Sequence, residues 1–252
     1  SGYVSDYTGN LTWVREDFSH RSLVLSFIHS NHSKNENVGY GKGWKSNYDI
    51  TIEDESYTKK TVLFPDGRKL HFVETEITGN YGVTIQIFKT DNPQYELKIY
   101  SGAYVNKSIL TLPNKLVYEF NETKSLTKII GSNNINQLII ERDTLNQISN
   151  IIDIFGNKIQ LEYSNNLLVK SNLIINDGGI DRVLEEKEYV YDNYRLVELN
   201  NKFKYTNQEN YESTIVKYTY DTLNNLKSAY CLTNEYKVTY DYLGSKVSKI
   251  EL

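Results

Sequence analysis

Three short stretches decide the fold: Tyr189-Val190-Tyr191-Asp192, Tyr218-Thr219-Tyr220-Asp221 and Val238-Thr239-Tyr240-Asp241. Residues two apart on a strand share a face, so the paired aromatics of a stretch stand on one side of a sheet. Each stretch ends at an aspartate. Turn-forming residues and then an apolar position follow, as in Asp221-Thr222-Leu223-Asn224-Asn225-Leu226 and Asp241-Tyr242-Leu243-Gly244-Ser245-Lys246-Val247. Weaker copies run from Asp143 to Ile148 and from Asp153 to Ile159. Aspartate at the first turn position accepts hydrogen bonds from the turn's own amides, and Gly or Asn three residues later suits the exit. A lone hairpin cannot bury its apolar face, so successive units must pair edge to edge into a long sheet. This reading predicts Tyr191, Tyr220 and Tyr240 in one buried ladder, with Asp192, Asp221 and Asp241 in equivalent structural roles at turns.

The rest of the chain agrees with a β protein. Among 252 residues there are 22 Tyr and 8 Phe but no Met, a bias toward residues that fit a pleated, half-buried surface. Asparagine pairs at Asn133-Asn134, Asn165-Asn166, Asn200-Asn201 and Asn224-Asn225 suit turns, including left-handed backbone. Ser22 to Ile28 is apolar and β-rich, and Asn47 to Ile52 alternates with period two. Val62-Leu63-Phe64, Pro65-Asp66-Gly67 and Lys69 to Val73 read as strand, turn and strand. Val83 to Phe88 and Tyr95 to Tyr100 alternate as strands with one covered face. No stretch keeps helical periodicity for three turns. Arg182 to Val190, with Glu185, Glu186 and Glu188, comes nearest and reads equally as a long charged strand. Asn37 to Trp44 places three glycines at alternate positions, without the Gly-Lys-Ser/Thr ending or following helix of a phosphate loop, and reads as a tight strand connection.

Composition excludes several function classes. The net charge is -4 with both signs interspersed, so the basic stripe required for nucleic acid is missing. No apolar run is long enough for a membrane-spanning helix. The lone Cys231 cannot form an internal disulfide. The chain starts without Met or a signal-peptide core and contains no Met at all, which points to an internal piece of something larger.

The ordered series of Tyr-Asp units resembles the Rhs/YD-repeat family, whose members form the shells of bacterial polymorphic toxins, wall-associated toxins, insecticidal toxin complexes and animal teneurins. The opening Thr8-Gly9-Asn10-Leu11, Leu23 to Phe27 and Gly41 to Tyr48 resemble the family's N-terminal module, while Phe64 to Phe72 and Tyr118-Glu119-Phe120 resemble the segments leading into the repeats. The resemblance implies an all-β fold of antiparallel β-hairpin repeats forming a continuous curved sheet, with an N-terminal β module over residues 1–125 and a YD-repeat sheet over 126–252. It implies a non-catalytic segment of a secreted, cell-wall or cell-surface bacterial toxin protein. The partners would be the rest of the parent polypeptide and a C-terminal effector domain that the shell encloses or presents, with no nucleic acid and no membrane span.

Two features depart from the family pattern. Repeat aspartates lie 10, 39, 29 and 20 residues apart from Asp143 to Asp241, so Asn172 to Arg182 and Thr206 to Ser213 are expected to be longer loops. The family's self-cleavage motif has no counterpart, so autoproteolysis is not assigned.

No residue is assigned a catalytic, cofactor-binding or metal-binding role. His20, His29, His32 and His71 lack a Cys or carboxylate array at zinc-like spacing. Cys231 has no local base and reads as a small strand residue. A carboxylate pair for glycoside hydrolysis would need one repeat aspartate to differ from its equivalents. The alternative reading is a cell-surface adhesion or carbohydrate-binding β module, in which aromatics exposed on one face stack on cell-wall or host glycans.

Overall fold

The computed structural model describes residues 2–4, 10–132, 137–203, 212–244 and 246–252. Thr8-Gly9, Asn133-Asn134, most of the expected loop from Thr206 to Ser213, and Ser245 lie outside the described residues. The chain forms two compact units, one of residues 1–46 with 155–252 and one of residues 47–154.

The first unit begins with a four-stranded antiparallel sheet: β1 (Gly2–Val4), β2 (Leu11–His20), β3 (Leu23–Ser30) and β4 (Trp44–Ser46). A short 3-10 turn at Asn31–Ser33 follows β3, and among the described residues there is no α-helix. Among the described residues no helix is long and apolar enough to cross a membrane.

In the second unit ten strands follow in chain order, each described pair antiparallel. They are β5 (Thr51–Ser56), β6 (Lys59–Leu63), β7 (Lys69–Asn80), β8 (Val83–Lys89) and β9 (Glu96–Gly102). β10 (Asn106–Thr111), β11 (Val117–Phe120), β12 (Leu126–Ile130), β13 (Gln137–Arg142) and β14 (Ile148–Asp153) continue the series. Alternation sorts the side chains: Phe88, Leu97 and Leu110 align across β8, β9 and β10 and are fully buried in one row.

The first unit resumes with eight strands in the same manner: β15 (Lys158–Ser164), β16 (Leu167–Asp177), β17 (Ile180–Asp192) and β18 (Arg195–Phe203). β19 (Glu212–Tyr220), β20 (Leu226–Cys231), β21 (Lys237–Leu243) and β22 (Lys246–Glu251) complete it. The protein is all-β, built from antiparallel hairpins as the repeats imply. Asn172 to Arg182 is not a loop. Gly178 and Gly179, both at positive φ, close a two-residue turn, so β16 and β17 run as long paired strands through the region and the charged stretch from Arg182 to Val190 is strand.

Two turn devices alternate with the sequence. At Asn165-Asn166 and Asn193-Tyr194, positive φ at both central residues makes a two-residue hairpin whose hand matches strand twist. At Asn121, Asp143 and Asp221 a five-residue turn forms instead. Asp221 Oδ1 accepts from the amides of Leu223 and Asn225, each at 2.8 Å, and Asp143 Oδ1 accepts from Leu145 and Gln147 at 2.9 and 2.8 Å. The fourth residue of these turns, Lys124, Asn146 or Asn224, takes positive φ.

The repeat aspartates are therefore not equivalent. Asp221 and Asp143 organise turns, Asp192 closes a two-residue turn and pairs with Arg195 at 3.1 Å, and Asp241 lies inside β21 opposite Lys249. Replacing Asp221 with Ala removes the oxygen that accepts from two backbone amides, and the expected loss is about 1–3 kcal/mol of stability. Asp241→Ala leaves the denaturation midpoint unchanged, so side-by-side urea titrations of the two variants check the assignment.

Candidate functional site

The aromatic repeats meet the N-terminal sheet inside the first unit, and this seam is the most chemically distinctive place in the protein. Its outer wall is built by strands that each end in a β-bulge. The register slips between Glu162 and Tyr163, Val190 and Tyr191, Thr219 and Tyr220, and Asp241 and Tyr242. Bulges bend a strand and raise its twist. They also realign the sequence repeat. Tyr240 corresponds to Tyr189 and Tyr218, all three buried, and Tyr242 corresponds to the bulged Tyr191 and Tyr220. The third stretch is thus Tyr240-Asp241-Tyr242, two residues later than its aspartate suggests.

The bulged tyrosines reach back to the preceding hairpin. Tyr220 Oη donates to the Leu196 carbonyl at 2.8 Å, and Leu196 is the partner of Tyr191; Tyr242 Oη donates to the Leu226 carbonyl, and Leu226 is the partner of Tyr220. Tyr191 breaks the series. Its hydroxyl has no hydrogen-bond partner, and Gly41 lies so close that a Cβ there would stand 3.0 Å from the ring.

The expected stack of tyrosine on tyrosine between repeats does not form. The strands carrying Tyr189, Tyr218 and Tyr240 are separated by β18 and β20, which present Leu199 and Ala229 opposite them. The rings instead receive the N-terminal sheet. Phe27 meets Tyr189 and Tyr40 at 6.1 and 4.9 Å, and Trp44 meets Tyr218 at 5.5 Å while its Nε1 donates to Tyr220 Oη at 2.9 Å. The glycine loop is more than a connection. Gly39 O accepts from the Leu168 amide at 2.8 Å, and the Lys42 amide donates to Tyr194 O at 2.7 Å, so main chain joins the loop to two hairpins.

A buried ion pair sits at the centre of the seam. Arg15 and Asp17 are two apart on β2, and the register slips between Glu16 and Phe18, so that Asp17 and Phe18 are both buried on the inner side. The guanidinium donates to Asp17 through Nε at 2.5 Å and Nη2 at 3.1 Å, and stacks on Phe27 and Trp44 with its carbon 4.9 and 4.8 Å from the ring centres. Tyr189 Oη donates to Asp17 Oδ2 at 2.6 Å and contacts Ser171 Oγ at 2.7 Å. Burial works against the Arg15 charge, but Asp17 with Tyr218 and Tyr189 outweighs it and raises the pKa. Burial also raises Tyr189, helped by Asp17, and lowers the nearby Lys187, whose ammonium reaches Asn201 at 2.7 Å.

The other histidines and the cysteine lie elsewhere or lack partners for chemistry. His71 Nδ1 contacts both Glu55 and Thr61 at 2.9 Å on the surface of the second unit. Both contacts fall on one nitrogen, so the acid and the hydroxyl cannot sit on opposite sides of the ring as proton relay requires. Cys231 is half-buried and borders a cavity of about 240 Å³ together with Trp13, Arg15, Val216 and Tyr218. No group of three His, Cys, Asp or Glu side chains converges as a metal site among the described residues. Sequence reasoning missed Arg15 and Asp17; their spacing on a strand with otherwise apolar inner positions was the available signal.

No family model and no curated protein sequence matches the chain. Solved structures do. The chain superposes with a TM-score of 0.59 on TcdB2-TccC3-Cdc42, at 11% identity over 95% of its length. It superposes at 0.56 on TcdB2-TccC3 without the hypervariable C-terminal region, at 10% identity over 78%, and at 0.58 on a mutant Tc holotoxin pore of Photorhabdus luminescens, at 12% identity over 79%. The chain has an Rhs/YD-repeat-like fold. It spans only 15 to 19% of the length of those chains. In this Rhs/YD-like strip the sequence is almost wholly different from its structural neighbours, while the hairpin architecture is retained.

Asp17→Asn should destabilise the protein by about 3–5 kcal/mol, because it leaves the Arg15 charge buried without its partner. The double variant Arg15→Met, Asp17→Leu should recover most of that loss, and thermal denaturation of the single and double variants measures both.

Proposed function

We propose that this chain is a non-catalytic wall segment of a secreted or surface Rhs/YD-repeat toxin protein, part of a β shell that encloses or presents a C-terminal effector. The observation that carries the reading is the covered aromatic face. Tyrosines from successive hairpins are buried under the N-terminal sheet and tied to neighbouring strands by hydroxyl-to-carbonyl bonds, which seals the wall. The likeness to toxin structures supports the same reading. The boundary near residue 125 is kept as a change of sequence pattern, since aspartate-led five-residue turns recur only after it. Such a wall excludes solvent and proteases from its contents and keeps them inactive.

The test is limited proteolysis of the parent protein. The effector portion should survive while the wall is intact and be degraded when Asp17→Asn loosens the seam. Equal degradation in both would overturn the enclosure.

One observation favours a carbohydrate-binding or adhesive module. Tyr57, Tyr81 and Tyr104 stand exposed at the turns after β5, β7 and β9, along one edge of that meander. Glycan-array binding lost in Tyr81→Ala and Tyr104→Ala would support that reading.

A further inference from the structure

His29 is fully buried, and neither ring nitrogen has a hydrogen-bond partner. A buried polar side chain with both ring nitrogens unpaired is unfavourable and calls for a reason. Aromatic rings and the glycine loop surround it. Trp13 lies opposite it on β2, Trp44 packs edge-on from β4 at 5.2 Å and Tyr220 from β19 at 5.8 Å. The loop closes the remaining side, where a Cβ on Gly43 would fall 2.6 Å from Nε2.

The charged groups around this pocket are mostly cationic. Arg15 on β2 stacks on the same Trp44 ring, Arg195 on β18 lies 6.0 Å from the Tyr220 ring centre, and the Lys34 backbone borders Gly43 while its ammonium donates to Asn225 at 2.8 Å. The carboxylates of the elements packed there are already committed: Asp17 to Arg15 and Tyr189, Glu36, whose carbonyl accepts from the Gly43 amide, to Lys45 at 2.8 Å, and Asp221 to Asn225 at 2.7 Å. Tyr218 and Tyr220 are hydroxyls held neutral by burial. A second cation at position 29 would meet only carboxylates that already hold partners.

We propose that His29 makes the seam acid-labile: its protonation releases the N-terminal sheet from the tyrosine face. Burial holds the ring neutral in the folded protein, with its pKa pushed down to about 3 from an ordinary 6.5. Once the seam opens, the ring meets water and binds a proton at its ordinary value. The open state therefore binds more protons than the closed one between these limits, so stability is complete above about pH 6.5 and declines as the pH falls toward 3. The opening constant should rise about 30-fold between about pH 7.5 and about pH 5 from this residue alone. The device rests on the geometry of the seam and not on the shell proposal, so it stands whether or not an effector is enclosed.

Trp13 and Trp44, the chain's two tryptophans, both flank His29, so their fluorescence reports the seam directly. Urea unfolding of the 252-residue chain followed by this signal should give, for the wild type, a rise in the unfolding constant on acidification about 30-fold larger than for His29→Phe or His29→Gln. Surface carboxylates titrate alike in all three proteins, and the comparison is of pH dependence within each, so a variant weakened at both pH values still reads out. An imidazole proton titration of the folded wild type gives the second measurement. His29 should remain neutral down to below about pH 5. Equal pH dependence in wild type and variants, or a His29 signal titrating near its ordinary value in the folded protein, would overturn the proposal. If neither variant folds, the titration decides alone.

Discussion

The structure of the first unit depends on a tyrosine hydroxyl reaching a main-chain carbonyl of the hairpin before it. Strand pairing alone links neighbours through amides and carbonyls that any sequence supplies, and it does not fix how a sheet bends. The bond from Tyr220 to Leu196, and its counterpart from Tyr242 to Leu226, joins the bulged strand to the adjacent strand at the residue that faces the preceding bulged tyrosine. A phenol is long enough to make that reach while its ring stays in the apolar layer, which is why tyrosine and not phenylalanine recurs at these positions. The bulge turns the ring toward its acceptor, and the aspartate or asparagine turn beyond the bulge brings the chain back in register.

The tyrosine face created in this way is apolar at its base and polar at its tips, and it has to be covered by something with the same character. The N-terminal sheet supplies Phe27 and Trp44 for the rings and Arg15 with Asp17 for the hydroxyls. The buried ion pair brings selectivity more than stability. Two charges removed from water are tolerable where Asp17 meets both Arg15 and Tyr189, an arrangement that disfavours other registers of the sheet.

Much of the fold could be read directly from the residues. The Asn-Asn and Pro-Asp-Gly turns, the alternating runs and the Tyr-x-Tyr spacing each carry a local physical cause that tertiary packing did not override. The errors have causes too. Asn172 to Arg182 looked like a loop because repeat aspartates were used as a ruler, whereas Gly178-Gly179 closes a turn that needs no aspartate. The third repeat was set two residues early because Val238-Thr239-Tyr240-Asp241 matches the motif better than Tyr240-Asp241-Tyr242, although the bulge falls at Tyr242. Period-two alternation gives the side of a strand and not what lies across from it, so the tyrosine face was visible but its cover was not. Arg15 and Asp17 read as ordinary strand charges until the partners some 170 positions away in sequence are placed beside them.

Within the sheet, Tyr220 and Tyr242 each refer to the hairpin immediately before their own. Nothing in the bond from Tyr242 to Leu226 depends on how many hairpins precede Leu226. A two-strand module inserted or deleted between such bonds restores the same local geometry on both sides of the junction. Hairpin number is set instead where the N-terminal sheet and its loop take hold, at the main chain of Leu168 and Tyr194, at Tyr220 through Trp44 and at Asn225 through Lys34. Those grips fix a count that the repeating bond by itself leaves open.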